Sequence, residues 1–362
     1  MKYKYWMAAV TGIGNATKRK LIEYFGGARG VYEADIIAMI QSGLVKEDIA
    51  EYIMRQKELW SLEDEYEKFL ENEIGFSTIE DRSYPSLLRT IHNAPYALYY
   101  KGTLPGAKET LIAMVGARKA SAYGKTMAYE IAKALSRAGY GIVSGMALGI
   151  DGESHRGAID QGGRTYAFLG CGVDVIYPRN HDKLYRQIIE NGAVISDFAP
   201  HTTPLPEYFP VRNRLISGIS KKTLVIEARK KSGSLITADL AMEQGRDVLA
   251  LPGRISDVMS EGTNQLIAQG AGIITGIDAI IADLTDLGGL ENIDAKGCSA
   301  YQFNLEKDEL LVYSCFDFYS KGLEQVQMEC GMELVPLMSI VIRLCELGLI
   351  RETFRNRYIR LG

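Results

Sequence analysis

Short apolar runs recur through the middle of the chain at intervals that fit alternating strands and helices. Segments 111–115, 141–143, 165–169, 193–195, 223–226, 248–251 and 272–274 are brief and mostly apolar. Strands covered on both faces have that texture, so they predict a parallel sheet. Between them, 123–138, 154–161, 184–191, 235–244 and 263–269 are long enough for helical crossovers. A doubly wound α/β fold follows. In such a sheet ligands bind beyond the carboxyl ends of the strands. That directs attention to the turns Gly116-Ala117-Arg118-Lys119, 144–151, Gly170-Cys171-Gly172 and 228–234.

The flanks differ in texture. Residues 1–78 read as a small helical unit of SAM-like or helix-hairpin-helix type, with Thr11-Gly12-Ile13-Gly14-Asn15 opening an amphipathic run through Leu21, Ile22 and Phe25. A G-x-G turn presents N–H groups at a helix start, as phosphate-gripping modules do, and Lys18, Arg19 and Lys20 follow it. A lone G-x-G is common, so a tight turn in a small bundle is the preferred reading. Turn residues and prolines between Asp81 and Pro95 mark entry to a central unit, 79–286, where 96–100 adds a further strand. Small and polar residues over 287–304 read as a linker. Residues 305–362 predict helices at 308–319, 323–330 and 333–347, then a hairpin of 349–351 and 358–361, the layout of a winged helix. Glu324, Glu329 and Glu333 around the would-be recognition helix favour protein interaction over major-groove reading.

Composition sets outer limits. A chain of 362 residues, 47% hydrophobic, can bury cores for two or three domains. Its net charge of -4 means that any anionic ligand must be drawn by a local basic patch. Cys171, Cys298, Cys315, Cys330 and Cys345 form an odd set without a C-x-x-C pair, which argues against disulfides and zinc and for a reducing cytoplasm. The N-terminal apolar stretch is too short for a signal peptide, and no later run is expected to cross a bilayer.

Several chemistries fail on spacing. Gly124-Lys125-Thr126 resembles the end of a P-loop, but Gly116 stands too far back, and Arg118 occupies the place where a dinucleotide fold needs its second glycine. Ser144, Asp151 and His155 lie close together without a G-x-S-x-G elbow. The plainer expectation is that Asp151 caps a helix and bonds locally with His155. Asp174, Asp197 and Asp239 lack metal-ligand spacing. No catalytic, metal or cofactor residue is therefore assigned.

A different chemistry fits the basic turns. In Tyr208-Phe209-Pro210-Val211-Arg212-Asn213-Arg214, guanidinium groups for phosphates adjoin a ring face for a base. Arg118, Lys119, Arg179, Lys230 and Lys231 sit at other predicted turns and should converge with them. Ser232-Gly233-Ser234 supplies an anion-ready helix start, with an ordinary N-cap as the plain alternative.

Taken in order, Val115-Gly116-Ala117-Arg118, Ser144-Gly145-Met146-Ala147-Leu148-Gly149-Ile150-Asp151 with His155, Phe209-Pro210-Val211-Arg212-Asn213-Arg214, Ser232-Gly233-Ser234-Leu235-Ile236-Thr237-Ala238 and Gly262-Thr263-Asn264 to Gly270-Ala271 resemble the bacterial DNA-processing protein A family, DprA or Smf. Ala117 stands where that family usually has serine. The resemblance implies an extended Rossmann-like, mostly parallel sheet flanked by a helical N-terminal and a winged-helix-like C-terminal domain. It further implies a non-enzymatic homodimer that binds and protects single-stranded DNA and helps load a RecA-type recombinase in natural transformation. The implied DNA-binding residues are Gly116, Arg118, Lys119, Ser144, Gly145, Arg179, Phe209, Arg212, Asn213, Arg214, Lys230, Lys231, Ser232, Gly233 and Ser234. The alternative is a nucleoside monophosphate phosphoribohydrolase on a similar sheet. Such an enzyme needs a glutamate beside P-G-G-x-G-T, where this chain has Lys230-Lys231-Ser232-Gly233 and Glu227 at a strand end.

Overall fold

A computed structural model describes residues 1–285, 305–317 and 320–360. Six helices come first: α1 (Lys2–Ala9), α2 (Asn15–Tyr24), α3 (Ala28–Glu33), α4 (Ile36–Gln41), α5 (Glu47–Leu59) and α6 (Leu62–Glu71). Trp6, Met7, Leu21, Val31, Met39 and Ile53 form their core, which extends onto Tyr96 and Ala97 at the sheet edge. The G-x-G turn is exposed, with its first glycine close against a ring and open space beside the second. A Cβ on Gly12 would stand 2.9 Å from the Tyr52 ring, and Asn15 accepts a hydrogen bond from the Tyr96 N–H at 3.2 Å. Lys18 is buried and donates to the Ala8 carbonyl, so burial lowers its pKa to about 8.

The stretch expected to be helical through residue 78 ends in a strand, β1 (Gly75–Thr78). It pairs antiparallel with β2 (Ala97–Gly102), separated from it by the short helix α7 (Ser86–Arg89). The central elements follow as β3 (Leu111–Val115), α8 (Ala122–Arg137), β4 (Gly141–Ser144), α9 (Ile150–Asp160), β5 (Thr165–Phe168), α10 (Asp182–Asn191) and β6 (Gly192–Ser196). After these come α11 (Tyr208–Ile219), β7 (Lys222–Val225), α12 (Gly233–Glu243), β8 (Asp247–Ala250), α13 (Glu261–Ala268), β9 (Gly272–Ile273) and α14 (Ile277–Thr285). The nine strands form one sheet in the order β1-β2-β6-β5-β4-β3-β7-β8-β9, parallel from β6 to β9.

Alternation within β3 shows why the expected runs are apolar throughout. Leu111, Ala113 and Val115 face one core with Leu215, Ile216 and Ile219 of α11, whereas Ile112 and Met114 face another with Ile131 and Leu135 of α8. The order reverses between β3 and β7, the usual crevice for a ligand. Here it is filled from within: buried Glu227, just past β7, accepts from the Ser121 N–H (2.9 Å) and hydroxyl at the start of α8. Gly124 lies so close that an added Cβ would stand 2.3 Å from that carboxyl carbon. The site is therefore displaced toward the ends of β3, β4 and β5.

The C-terminal elements are α15 (Lys307–Cys315), β10 (Lys321–Gly322), α16 (Leu323–Cys330), α17 (Leu334–Glu346), β11 (Ile350–Phe354) and β12 (Arg357–Arg360). Their strands pair in the order β10-β12-β11 around Val312, Phe316, Val326, Leu337, Val341, Leu344 and Ile350. The expected linker 287–304, and the expected helical residues 318–319, lie outside the described residues. Among the described residues no helix is long and apolar enough to cross a membrane.

Candidate nucleic-acid interface

Three turns meet above β3, β4 and β5. Gly149, at φ +79°, closes the turn before α9 so tightly that a Cβ would stand 2.3 Å from the Ala117 carbonyl oxygen. That approach presses the β4 turn against the β3 turn, and only glycine combines the conformation with the space. Arg118, exposed on the β3 turn, lays its guanidinium 5.2 Å from the centroid of Phe209, which sits in the first turn of α11. Tyr177, 40% exposed, tilts against the same ring at 5.4 Å and 32°. Arg118, Leu148, Gly170, Tyr177, Phe209 and Arg212 are among the residues that line the resulting notch of about 60 Å³.

The notch is small, with room for no more than a few waters at ~10–15 Å³ of that volume each. Its accessible rings offer faces on which a planar ring can stack. A base can lie on the outer face of Tyr177, or take the place of Arg118 over Phe209 and release the guanidinium to a phosphate. Among the described residues no carboxylate lines the notch. Cys171, which does line it, is a neutral thiol pushed up to about 11 by burial, and its Sγ donates to the Val175 carbonyl.

Arg212 lines the notch from below, and its guanidinium is committed to the fold. It is 4% exposed and donates to the carbonyls of Gly145 (2.9 Å) and Phe168, tying the ends of β4 and β5 together. Burial pulls its pKa down to about 10, opposed by the nearby charge of Asp151, so it stays protonated at neutral pH. Asp151 is buried too, and that burial raises its pKa against the pull of Arg212 and of the Gly145 (3.1 Å) and Ala147 (3.4 Å) N–H groups. Gly145 is the space in which both end: an added Cβ would stand 2.6 Å from an Arg212 nitrogen and 2.7 Å from an Asp151 oxygen.

The other expected contacts separate into exposed and committed groups. Lys119, Lys230 and Lys231 on turns, and Arg179 at the start of a short 3-10 helix, are exposed along the carboxyl edge, outside the notch lining. Ser232 caps α12 through the Ser234 N–H at 3.4 Å, and its hydroxyl also meets that of Ser234 (2.8 Å). Asn213 accepts from Arg212 and donates to the Gly233 carbonyl at 3.4 Å, joining α11 to α12. Gly116 supports the β3 turn against Ile150, which an added Cβ would meet at 2.6 Å.

Two expected contacts are spent internally. Ser144 is fully buried, with its hydroxyl bonded to the Met114 carbonyl at 2.5 Å. Arg214 pairs with Asp197 at 2.7 Å and donates to the Asn93 carbonyl. The expected Asp151–His155 bond is replaced: His155 is fully buried and bonds Thr165 at 2.7 Å, and burial lowers its pKa to about 3. Tyr177 and Leu148 line the notch without having been singled out from sequence. The Tyr-Pro pair before Arg179 was the signal available for the tyrosine. Among the described residues no cluster of side chains could hold a metal ion.

Comparisons with known proteins agree with this architecture. The family model for DNA recombination-mediator protein A matches residues 75–285. DNA processing protein DprA of Streptococcus pneumoniae is 40% identical over 222 residues, 61% of this chain and 77% of that protein. Its Bacillus subtilis counterpart is 39% identical over 219 residues, 60% of this chain and 74% of that one. The X-ray structure of the Streptococcus pneumoniae protein superposes with a TM-score of 0.68 at 33% identity, covering 78% of this chain and 98% of that one. A structure of DNA processing protein A from Helicobacter pylori, described for its single-stranded DNA binding mode, gives 0.53 at 31% identity and covers 58% of this chain and 96% of that one. From strand order to the turns at the carboxyl edge, the chain belongs to the DNA recombination-mediator protein A family.

Proposed function

We propose that this protein binds single-stranded DNA along the carboxyl edge of its central sheet without cutting it, protects incoming strands and helps load a RecA-type recombinase in natural transformation. The observation that carries the reading is the exposed Arg118 guanidinium resting on Phe209 beside Tyr177, with no carboxylate among the described residues that line the notch. A ring face and a free cation are what an unpaired nucleotide requires, and the phosphates are served by Lys119, Arg179, Lys230 and Lys231 farther along the edge. The net charge of -4 is tolerable because only this edge has to be positive. The proposal extends to a cytoplasmic homodimer whose winged-helix-like C-terminal unit contacts protein.

A nucleotide-cleaving reading lacks its acid, since Glu227 is buried and bonded to Ser121. Filter binding of oligo-dT across a salt series tests the proposal. Arg118→Ala is expected to weaken binding about tenfold and to lower the salt slope by about 0.7, the value for one phosphate contact on a single strand. Unchanged affinity and slope, or release of free base from nucleoside monophosphates by the wild type, would overturn it.

A further inference from the structure

The C-terminal unit carries two unlike surfaces. Helix α17 packs Leu337, Val341 and Leu344 inward. On its other side Leu334, Met338 and Ile342 lie exposed at every fourth position, beside Val335, which is 78% exposed. Single exposed apolar side chains are ordinary, whereas four on one helical face mark a docking surface. The free charges around this stripe are acidic. Arg343 is held by Glu309 of α15 at 2.6 Å, and Lys321 by Glu329 of α16 at 2.8 Å. Glu333 and Glu346, exposed at the two ends of α17, form no ion pair among the described residues.

The hairpin of β11 and β12 has the opposite character. Residues 350–360 hold four arginines against one glutamate. That glutamate, Glu352, accepts from the Asn356 N–H at 2.8 Å and so is spent on the turn. Phe354, 74% exposed, lies opposite Arg357 in the ladder, just after the register shifts. Arg357 donates to the Ser320 carbonyl at 2.6 Å, and Arg360 lies over the Tyr313 ring at 4.1 Å. The guanidinium groups of Arg351 and Arg355, both exposed, have no partner among the described residues. The wing therefore presents an apolar ring between two free cations.

These surfaces complement each other in polarity and in size. Glu333 and Glu346 stand about 20 Å apart along the helix axis at ~1.5 Å per residue. Arg351 and Arg355 are about 13 Å apart along their strand, and their long side chains span the difference. Phe354 between them matches the stripe of Leu334, Met338 and Ile342. A nucleic acid would satisfy the arginines and leave the stripe in water, and a basic peptide would cover the stripe and leave the wing bare. A second copy of this chain covers both. Within one chain Phe354 and Val335 each remain mostly exposed, so the contact is between chains.

We propose that the C-terminal unit is a self-association module, in which the wing of one chain docks on the α17 stripe of a second copy. This names the partner for the protein contact proposed above and rests on that part of the reading alone. Because the two patches differ, the contact is head-to-tail and propagates from chain to chain instead of closing as a two-fold dimer.

The test is sedimentation velocity of the full chain without DNA, over a concentration series at low and high salt. The wild type is expected to grow past a dimer as concentration rises and to shrink again with salt, since the charges involved are exposed. Phe354→Ser and Met338→Gln, both at exposed positions, should each weaken that growth about tenfold, as loss of an interface anchor does. Mixed in equal amounts, the two variants should associate again, because the first keeps its stripe and the second its wing. A wild type no larger than a dimer up to about 100 µM, growth that survives both substitutions, or variants that do not recover on mixing overturns the module. Oligo-dT anisotropy on the same proteins separates this from the reading beneath it. Affinity that falls about tenfold with Phe354→Ser while self-association is unchanged puts nucleic acid on the wing, and the module and the protein contact both fall. No self-association with unchanged oligo-dT affinity removes the second copy and leaves the DNA path standing. Growth in a wild type that binds no oligo-dT keeps the module and removes the DNA path.

Discussion

Arg212→Ala separates a scaffold role from a ligand role at the notch. The guanidinium is buried and donates to the carbonyls of Gly145 and Phe168, and its charge faces buried Asp151. Truncation leaves that carboxylate with only the Gly145 and Ala147 N–H groups. Leaving a buried charge uncompensated costs about 3 to 5 kcal/mol. For a domain of this size each kcal/mol lowers the melting temperature by about 2 to 4 °C, so the loss should be roughly 6 to 20 °C. Thermal melts by far-UV circular dichroism read this directly, alongside Arg118→Ala, whose exposed side chain should cost under about 0.5 kcal/mol. Adding Asp151→Asn to Arg212→Ala should recover part of the loss, with a coupling of about 0.5 to 3 kcal/mol. A melt for Arg212→Ala within about 2 °C of wild type, with oligonucleotide binding abolished, would refute the scaffold assignment and make Arg212 a direct contact.

Ser144→Ala should lose about 1 kcal/mol of stability in urea with the hydrogen bond to Met114, while oligo-dT affinity stays within twofold, about 0.4 kcal/mol. A large affinity loss would return the serine to the DNA surface. His155 titrates at about 3 in the folded chain against an ordinary 6.5. The unfolded state therefore binds the extra proton between those values, and the contribution present above pH 6.5 is lost as pH falls toward 3, by at most about 1.4 kcal/mol per pH unit. His155→Gln should flatten the acid limb of the stability profile by that slope. An acid limb identical to wild type would show that the ring is not held neutral by burial.

The sheet was legible because strands covered on both faces leave continuous apolar runs, and β3 falls on the predicted residues 111–115. β1 was hidden because it is four residues long and follows an amphipathic helix without a proline or turn cluster between them. The notch was legible in part. Arg118 and Phe209 meet as two turn motifs suggested, yet sequence cannot distinguish an arginine that faces solvent from one that braces carbonyls. Arg212 and Arg214 stand two residues apart on one helix, and both are consumed by the fold, one under β4 and β5 and the other by Asp197. Ser144 ends a strand whose last side chain points into the core, a half-turn that spacing alone did not resolve. Tyr177 was passed over because a single aromatic before proline has no periodic partner, and its role emerges only when α11 brings Phe209 against it.

Photo-crosslinking tests the central claim most directly. Oligo-dT carrying one 5-iodo-deoxyuridine, bound to the full chain, irradiated and mapped by mass spectrometry, reports which rings the bases stack on. Crosslinks on Tyr177 or Phe209 that disappear in Arg118→Ala are the predicted result. Crosslinks confined to the far edge of the sheet, around Ile273 of β9, would place the strand elsewhere and contradict the account.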